Sequence, residues 1–106
     1  MRVHFALRAT LFLRSEQSYI ARFNKPAARA AIASIRKAAA ILGDYPHAGA
    51  LVTAVSGVRR YTAAPYHIDY IIEQGSVIIV SIRHGRQQDP DADFEDDDDF
   101  EVPGES

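Results

Sequence analysis

Arg59, Arg60, Arg83, His84 and Arg86 are the side chains of this 106-residue chain whose types and spacing best suit chemistry. Guanidinium forks match phosphate or carboxylate oxygens bidentately, and an imidazole titrates near neutrality, so such a set can hold a phosphodiester and move a proton. If the segments carrying them are neighbouring strands, four guanidinium groups and one imidazole gather at one edge. Arginines on an alternating strand can equally face solvent, and the residue types leave both readings open. Tyr61, Tyr66 and Tyr70 lie between these bases. Stacking on unpaired nucleic-acid bases is one use of such rings. Tyr66 and Tyr70, however, share a period-two face with Ile68 and Ile72 and are expected in the core, which leaves Tyr61 uncommitted.

Other chemistries find less support. His4, His47, His67 and His84 show no metal-ligand spacing, so no metal is expected. The chain has no cysteine, which removes disulfides, thiolate sites and a thiol nucleophile. Gly43, Gly49 and Gly57 do not make a phosphate-binding loop, and no motif marks a serine nucleophile. No cofactor is expected. The longest apolar stretches, Val77–Val80 and Ala38–Leu42, are far too short for a membrane span, and the expectation is a cytoplasmic protein with no membrane contact.

The elements that must position the basic set read as a strand, two helices and a run of strands. Arg2–Phe5 is a candidate strand with Val3 and Phe5 on one face. Leu11, Phe12, Tyr19, Ile20 and Phe23 recur at helical spacing over Leu7–Phe23. Asn24–Lys25–Pro26 separates this helix from a second, in which Ala28, Ala31, Ile32, Ile35, Ala38, Ala39 and Leu42 form one stripe. Pro26 suits a first turn, and Gly43 is the expected stop. The two helices are expected to form an antiparallel hairpin. Beyond Gly49 the pattern alternates, with candidate strands Leu51–Val55, Val58–Thr62, Tyr66–Glu73 and Val77–His84; Gln74–Gly75–Ser76 turns the last two into a hairpin. The fold class is α+β, a helical hairpin packed on one face of a mostly antiparallel sheet.

Charge divides the chain in two. Residues 1–88 hold all twelve Lys and Arg against four acids, a surplus of eight positive charges, while 89–106 holds ten acids and no base. The first part is expected to be one folded domain with an acidic partner, the second an acidic tail that is disordered unless bound. The tail is either a solvated extension or a segment that folds back over the basic body, with Phe94, Phe100 and Val102 as apolar anchors.

The order of these pieces resembles the RelE/ParE toxins of bacterial toxin–antitoxin pairs. The matching stretches are Ala27–Leu42, the turn Leu42–Gly49 (LGDYPHAG), Gly57–Arg60 (GVRR), Tyr66–Tyr70 (YHIDY), Val77–Ile82 and His84–Gln87 (HGRQ), and the resemblance covers roughly residues 1–87. The resemblance implies a type II toxin neutralised by an antitoxin that wraps it. Two activities compete within that superfamily. The ParE branch, associated with plasmid stabilization, implies a non-enzymatic inhibitor of DNA gyrase with a ParD-like antitoxin and nucleic-acid contact only through that antitoxin. The RelE branch implies a ribosome-dependent mRNA endoribonuclease, for which His84, Arg59, Arg83 and Arg86 are the catalytic candidates. No Lys follows Lys37 and no Tyr follows Tyr70. That gap and the HGRQ ending favour the ParE branch, with Arg59, Arg60, Arg83, His84 and Arg86 as target-binding residues. A degenerate toxin that only binds its antitoxin is the third option. Apolar residues left over from so small a core are antitoxin-contact candidates: Phe12, Tyr19 and Phe23.

Overall fold

A computed structural model describes residues 1–85; Arg86 and the acidic segment 89–106 lie outside the described residues. Strand β1 (Arg2–Phe5) leads into helices α1 (Leu7–Ala21) and α2 (Lys25–Asp44), followed by β2 (Ala50–Leu51), β3 (Arg59–Ala63), β4 (Tyr66–Glu73) and β5 (Ser76–His84). The strands form one sheet in the order β1-β5-β4-β3-β2, antiparallel except where β1 runs parallel to β5. The α+β class expected from the residue pattern is the one observed. No helix among the described residues is long and apolar enough to cross a membrane.

Helix α2 starts where its sequence says it should. Asn24 caps it, its side-chain oxygen accepting from the Ala27 amide at 2.9 Å, and Pro26 occupies the first turn. Its inward stripe is Ala28, Ile35, Ala38, Ala39 and Leu42. The helix runs past the expected stop at Gly43 to Asp44. Gly43 is interior because β1 packs on it: the N-terminal ammonium donates to its carbonyl at 2.8 Å, and a Cβ there would lie 3.1 Å from the Met1 carbonyl oxygen. Helix α1 closes earlier than expected, at Ala21, and the amides of Arg22 and Phe23 turn back onto the carbonyls of Tyr19 and Ile20.

The candidate strand Leu51–Val55 is corrected to two residues, Ala50–Leu51. The chain leaves the sheet after Leu51 because it must reverse into β3. The Val52 amide donates to the Val58 carbonyl at 2.8 Å, closing a loop in which Gly57 takes a left-handed φ of 80°.

The core lies between the helices and one face of the sheet. Tyr66, Ile68 and Tyr70 of β4 and Val77, Ile79 and Ile82 of β5 pack on Ala9, Ile35, Ala38, Ala39 and Leu42. Each large side chain wholly removed from water there contributes about 1.5–3 kcal/mol. The pairing of β4 with β5 shifts register between Asp69 and Tyr70: Asp69 faces Ser81, whereas Tyr70 faces Ile79, leaving Val80 as the extra residue of a bulge. Strict alternation from Val77 and Ile79 would send Ser81 and Arg83 into the core. The bulge reverses the parity, so Ile82 and His84 turn toward the helices and Arg83 turns away.

Candidate functional site

Strands β3 and β5 are not neighbours; β4 runs between them. Successive residues of a strand point to opposite faces, so the basic residues also divide between the two faces of the sheet.

On the face away from the helices, Arg60 and Arg83 converge on Asp69. The Arg60 fork donates to both carboxylate oxygens, Nε to Oδ1 at 2.7 Å and Nη2 to Oδ2 at 3.2 Å, while Arg83 Nη1 reaches Oδ2 at 3.4 Å. Asp69 is only 7% exposed. A carboxylate so shielded is stable only with its charge matched and its lone pairs filled, which two guanidinium groups accomplish. Beside this cluster the Thr62 hydroxyl and His67 Nδ1 lie 3.3 Å apart.

Arg59, on the helix side, holds a loop. Its Nη1 donates to the Gly49 carbonyl at 2.7 Å and lies 3.5 Å from that of His47. The buried Tyr70 hydroxyl completes the clasp, donating to the Pro46 carbonyl at 2.7 Å and accepting from the Gly49 amide at 2.9 Å. The turn Leu42–Gly49 is thus tied to β3 and β4 from beneath.

His84 also faces the helices. Its ring meets that of Tyr66 edge-on at 5.6 Å, and Phe12 meets the same tyrosine edge-on at 6.0 Å. The Tyr66 hydroxyl donates to Glu16 of α1 at 2.7 Å. Burial first, then the hydrogen bond and negative charge of Glu16, push the Tyr66 phenol far above its ordinary value of 10.0. A phenol held this firmly in its neutral form is an anchor for α1 and not a base. Because the folded state keeps the proton through a range where the unfolded chain releases it, the stability is fully present below pH 10 and lost as pH rises beyond it. Denaturant titrations from pH 8 to pH 11 should show a decline at the alkaline end that is shallower in Tyr66→Phe, by up to about 1.4 kcal/mol per pH unit; identical slopes would place the alkaline sensitivity elsewhere.

Of the sequence-derived candidates, the structure brings Arg60 and Arg83 together, sets Arg59 and His84 apart on the other face, and does not include Arg86 among its described residues. Of the aromatic candidates, Phe12 is partly buried against the core, whereas Tyr19 and Phe23 are 58% and 72% exposed and meet edge-on at 5.4 Å. Sequence reasoning gave no role to Asp69 or Glu16. Asp69 carried a signal: it is the only acid between Asp44 and Glu73, set in an apolar strand next to one bearing two arginines.

Residues 3–89 match the family model described as the ParE toxin of the type II toxin–antitoxin system parDE. The chain belongs to the ParE toxin family. It is therefore the toxin component of a type II toxin–antitoxin system, as the motif order had implied. The curated protein "Toxin RelE2" of Caulobacter vibrioides is 37% identical over 78 residues, covering 73% of this chain and 86% of the relative. A solved chain from the "Chromosomal ParDE TA system from P. aeruginosa" superposes with a TM-score of 0.69 at 20% identity, covering 79% of this chain and 95% of that one, which speaks for the shared fold. The matching family model is of ParE toxins, whereas the curated relative carries the name RelE2.

Proposed function

We propose that this ParE-family toxin acts by binding and not by catalysis, inhibiting DNA gyrase, and that a ParD-like antitoxin neutralises it. The observation that carries the reading is the division of the basic set between the two faces of the sheet. A nuclease of the RelE kind needs several cations and an acid–base group around one scissile phosphate. Here Arg59 clasps the Gly49 carbonyl and His84 packs on Tyr66 on one face, while Arg60 and Arg83 meet at Asp69 on the other. In this reading the open sheet face, with Arg60 and Arg83, contacts the target. Arg59 and His84 hold the frame that shapes it, and Arg86, outside the described residues, is proposed as a further target contact. Residues 1–88 form the toxin domain.

In the same reading the antitoxin docks on the helical hairpin. Tyr19 and Phe23 supply exposed aromatic area of the kind that dominates protein interfaces, and Phe12 supports it from beneath by seating α1 on Tyr66. Residues 7–44 carry seven Lys and Arg against two acids, which suits an acidic wrapping segment.

The test is a gyrase supercoiling and cleavage assay with purified protein, run beside cleavage of ribosome-bound mRNA. The expected outcome is inhibited gyrase and intact mRNA, with His84→Ala changing gyrase inhibition by less than about threefold, under 1 kcal/mol. Cleaved mRNA whose cleavage collapses in His84→Ala would establish the endoribonuclease instead. Silence in both assays would leave a degenerate toxin whose remaining role is to bind its antitoxin.

A further inference from the structure

Positive charge is unevenly spread over the two layers of the folded body. Residues 7–44, the helical hairpin, hold seven Lys and Arg against two acids, whereas residues 45–85 hold three against two. In the sheet, Arg60 and Arg83 share the charge of Asp69, and Arg59 is drawn to the Gly49 carbonyl. In the hairpin, Glu16 is held by the Tyr66 hydroxyl, and Asp44 is the last residue of α2. Among the described residues no acid forms an ion pair with any of the seven hairpin cations.

Helix α2 turns part of that surplus into a line. Its buried stripe, Ala28, Ile35, Ala38, Ala39 and Leu42, fixes which side faces outward. At about 100° per residue, Lys25, Arg29 and Arg36 fall within roughly 40° of one another along one flank of the exposed side, and Lys37 lies nearer its middle. Arg29 is about 6 Å and Arg36 about 16 Å beyond Lys25 along the axis. All four cations are exposed, and so are Ala30, Ala33 and Ala40 beside them.

What lies between the cations selects the partner. Large exposed apolar side chains occur on α1, at Leu7, Leu11, Tyr19 and Phe23, whereas α2 has none. An acidic protein segment needs an aromatic or aliphatic anchor at the centre of its contact, which alanines do not supply. A phosphate backbone needs no anchor, because its affinity comes from cations that release condensed counterions. No aromatic ring stands on this side to stack an unpaired base, and the alanines offer no hydrogen bond to a base edge or a 2′-hydroxyl. The face therefore suits a duplex held by its phosphates and read for no sequence. Lys25 with Arg29, and Arg36 with Lys37, make two groups centred about 14 Å apart along the helix. That spacing is close to the roughly 12 Å width of the B-DNA major groove, whereas the major groove of duplex RNA is narrow.

We propose that the exposed side of α2 binds the phosphate backbone of double-stranded DNA without sequence preference, with Lys25 and Arg29 on one strand of a groove and Arg36 and Lys37 on the other. The whole chain has a formal net charge of −2, so the local density of cations on α2, and not net charge, carries the contact. The family resemblance implied nucleic-acid contact through the antitoxin alone; this contact is the toxin's own. It depends on neither the gyrase reading nor the antitoxin reading.

The test is fluorescence anisotropy of a labelled DNA duplex of about 20 base pairs, titrated with the full chain. Binding should be seen at about 0.02 M salt and weaken with a log–log slope of about −3 to −4, as expected for four neutralised phosphates. Arg29→Ala combined with Arg36→Ala should reduce the slope by about 2 and weaken binding at least about tenfold. The fold should be kept, because both positions are exposed and alanine is the best helix former. Arg8→Ala combined with Arg14→Ala removes the same charge from α1 and should weaken binding less than about threefold. Duplex RNA of the same sequence should bind more weakly, and polyglutamate at equal charge concentration should compete less well than unlabelled DNA. No binding at low salt, equal losses in the two double variants, RNA bound as tightly as DNA, or polyglutamate competing as well as DNA would each overturn the proposal. Gyrase and antitoxin take no part in these readouts, so failure of either reading would leave them unchanged.

Discussion

Asp69→Ala is expected to lower the unfolding free energy by about 3 kcal/mol, a large share of what a domain of this size possesses. The carboxylate is 7% exposed and takes hydrogen bonds from Arg60 and Arg83. Removing it leaves two guanidinium groups on one face of a sheet with their shared counter-charge gone, and the repulsion between them adds to the lost bonds. In a domain of this size the midpoint of thermal unfolding should fall on the order of 15 °C. Asp69→Asn keeps acceptor geometry for Arg60 but not the charge and should lose roughly half as much. Chemical denaturation of the three proteins checks this. A loss below about 1 kcal/mol for Asp69→Ala would mean that the cluster is solvated like an ordinary surface ion pair.

The second large effect is expected at Gly49, where the requirement is for space. A Cβ on Gly49 would lie 2.7 Å from the Arg60 carbonyl oxygen and 2.8 Å from both the ring edge and the hydroxyl of Tyr70. Neither neighbour can yield easily: one is backbone of β3, and the other is a fully buried ring on β4. Gly49→Ala must therefore push the turn off the sheet and weaken the Gly49 bonds to Tyr70 and Arg59, a cost of about 2–3 kcal/mol. Gly43→Ala is the control. Its new Cβ would be at 3.1 Å or more from its neighbours, and alanine regains about 1 kcal/mol of helix propensity, so the net change should stay within about 1 kcal/mol. Hydrogen exchange should show amides 45–49 opening faster in Gly49→Ala and unchanged in Gly43→Ala. Equal stability of the two variants would remove the clasp as the reason for a glycine at position 49.

These two sites give physical content to the motifs that carried the family resemblance. In LGDYPHAG, Leu42 fills the core, the Pro46 carbonyl receives Tyr70, and Gly49 admits the close approach of β3 and β4. In GVRR, Gly57 supplies a left-handed turn residue, Arg59 grips the Gly49 carbonyl, and Arg60 matches Asp69. In YHIDY, Tyr70 is the partner of the 46–49 turn and Asp69 that of Arg60, whereas Tyr66 holds Glu16 of α1. Residues from all three stretches meet in the clasp of the 46–49 turn, through Gly49, Arg59 and Tyr70, while Arg60 and Asp69 pair on the opposite face.

Local physics alone determined the elements. An alanine-rich stripe at three- and four-residue intervals, capped by Asn24 with Pro26 behind it, can bury one face only as a helix, and α2 is where that pattern put it. Alternation in Tyr66–Glu73 and the Gln74–Gly75 turn, with positive φ at both residues, made the β4–β5 hairpin equally legible. The charge division between 1–88 and 89–106 was also open to inspection from residue types alone. Tertiary structure decided which side chains meet. Strand order depends on long-range pairing, so nothing local announced that β1 would lie parallel to β5 or that β4 would separate β3 from β5. The bulge at Val80 was equally invisible, because a period-two reading has no means of registering one extra residue until a partner strand is present to count against. Alternation divides a cluster that the sequence, read as a line, placed together, and that single residue decides the assignment, sending His84 to Tyr66 and Arg83 to Asp69.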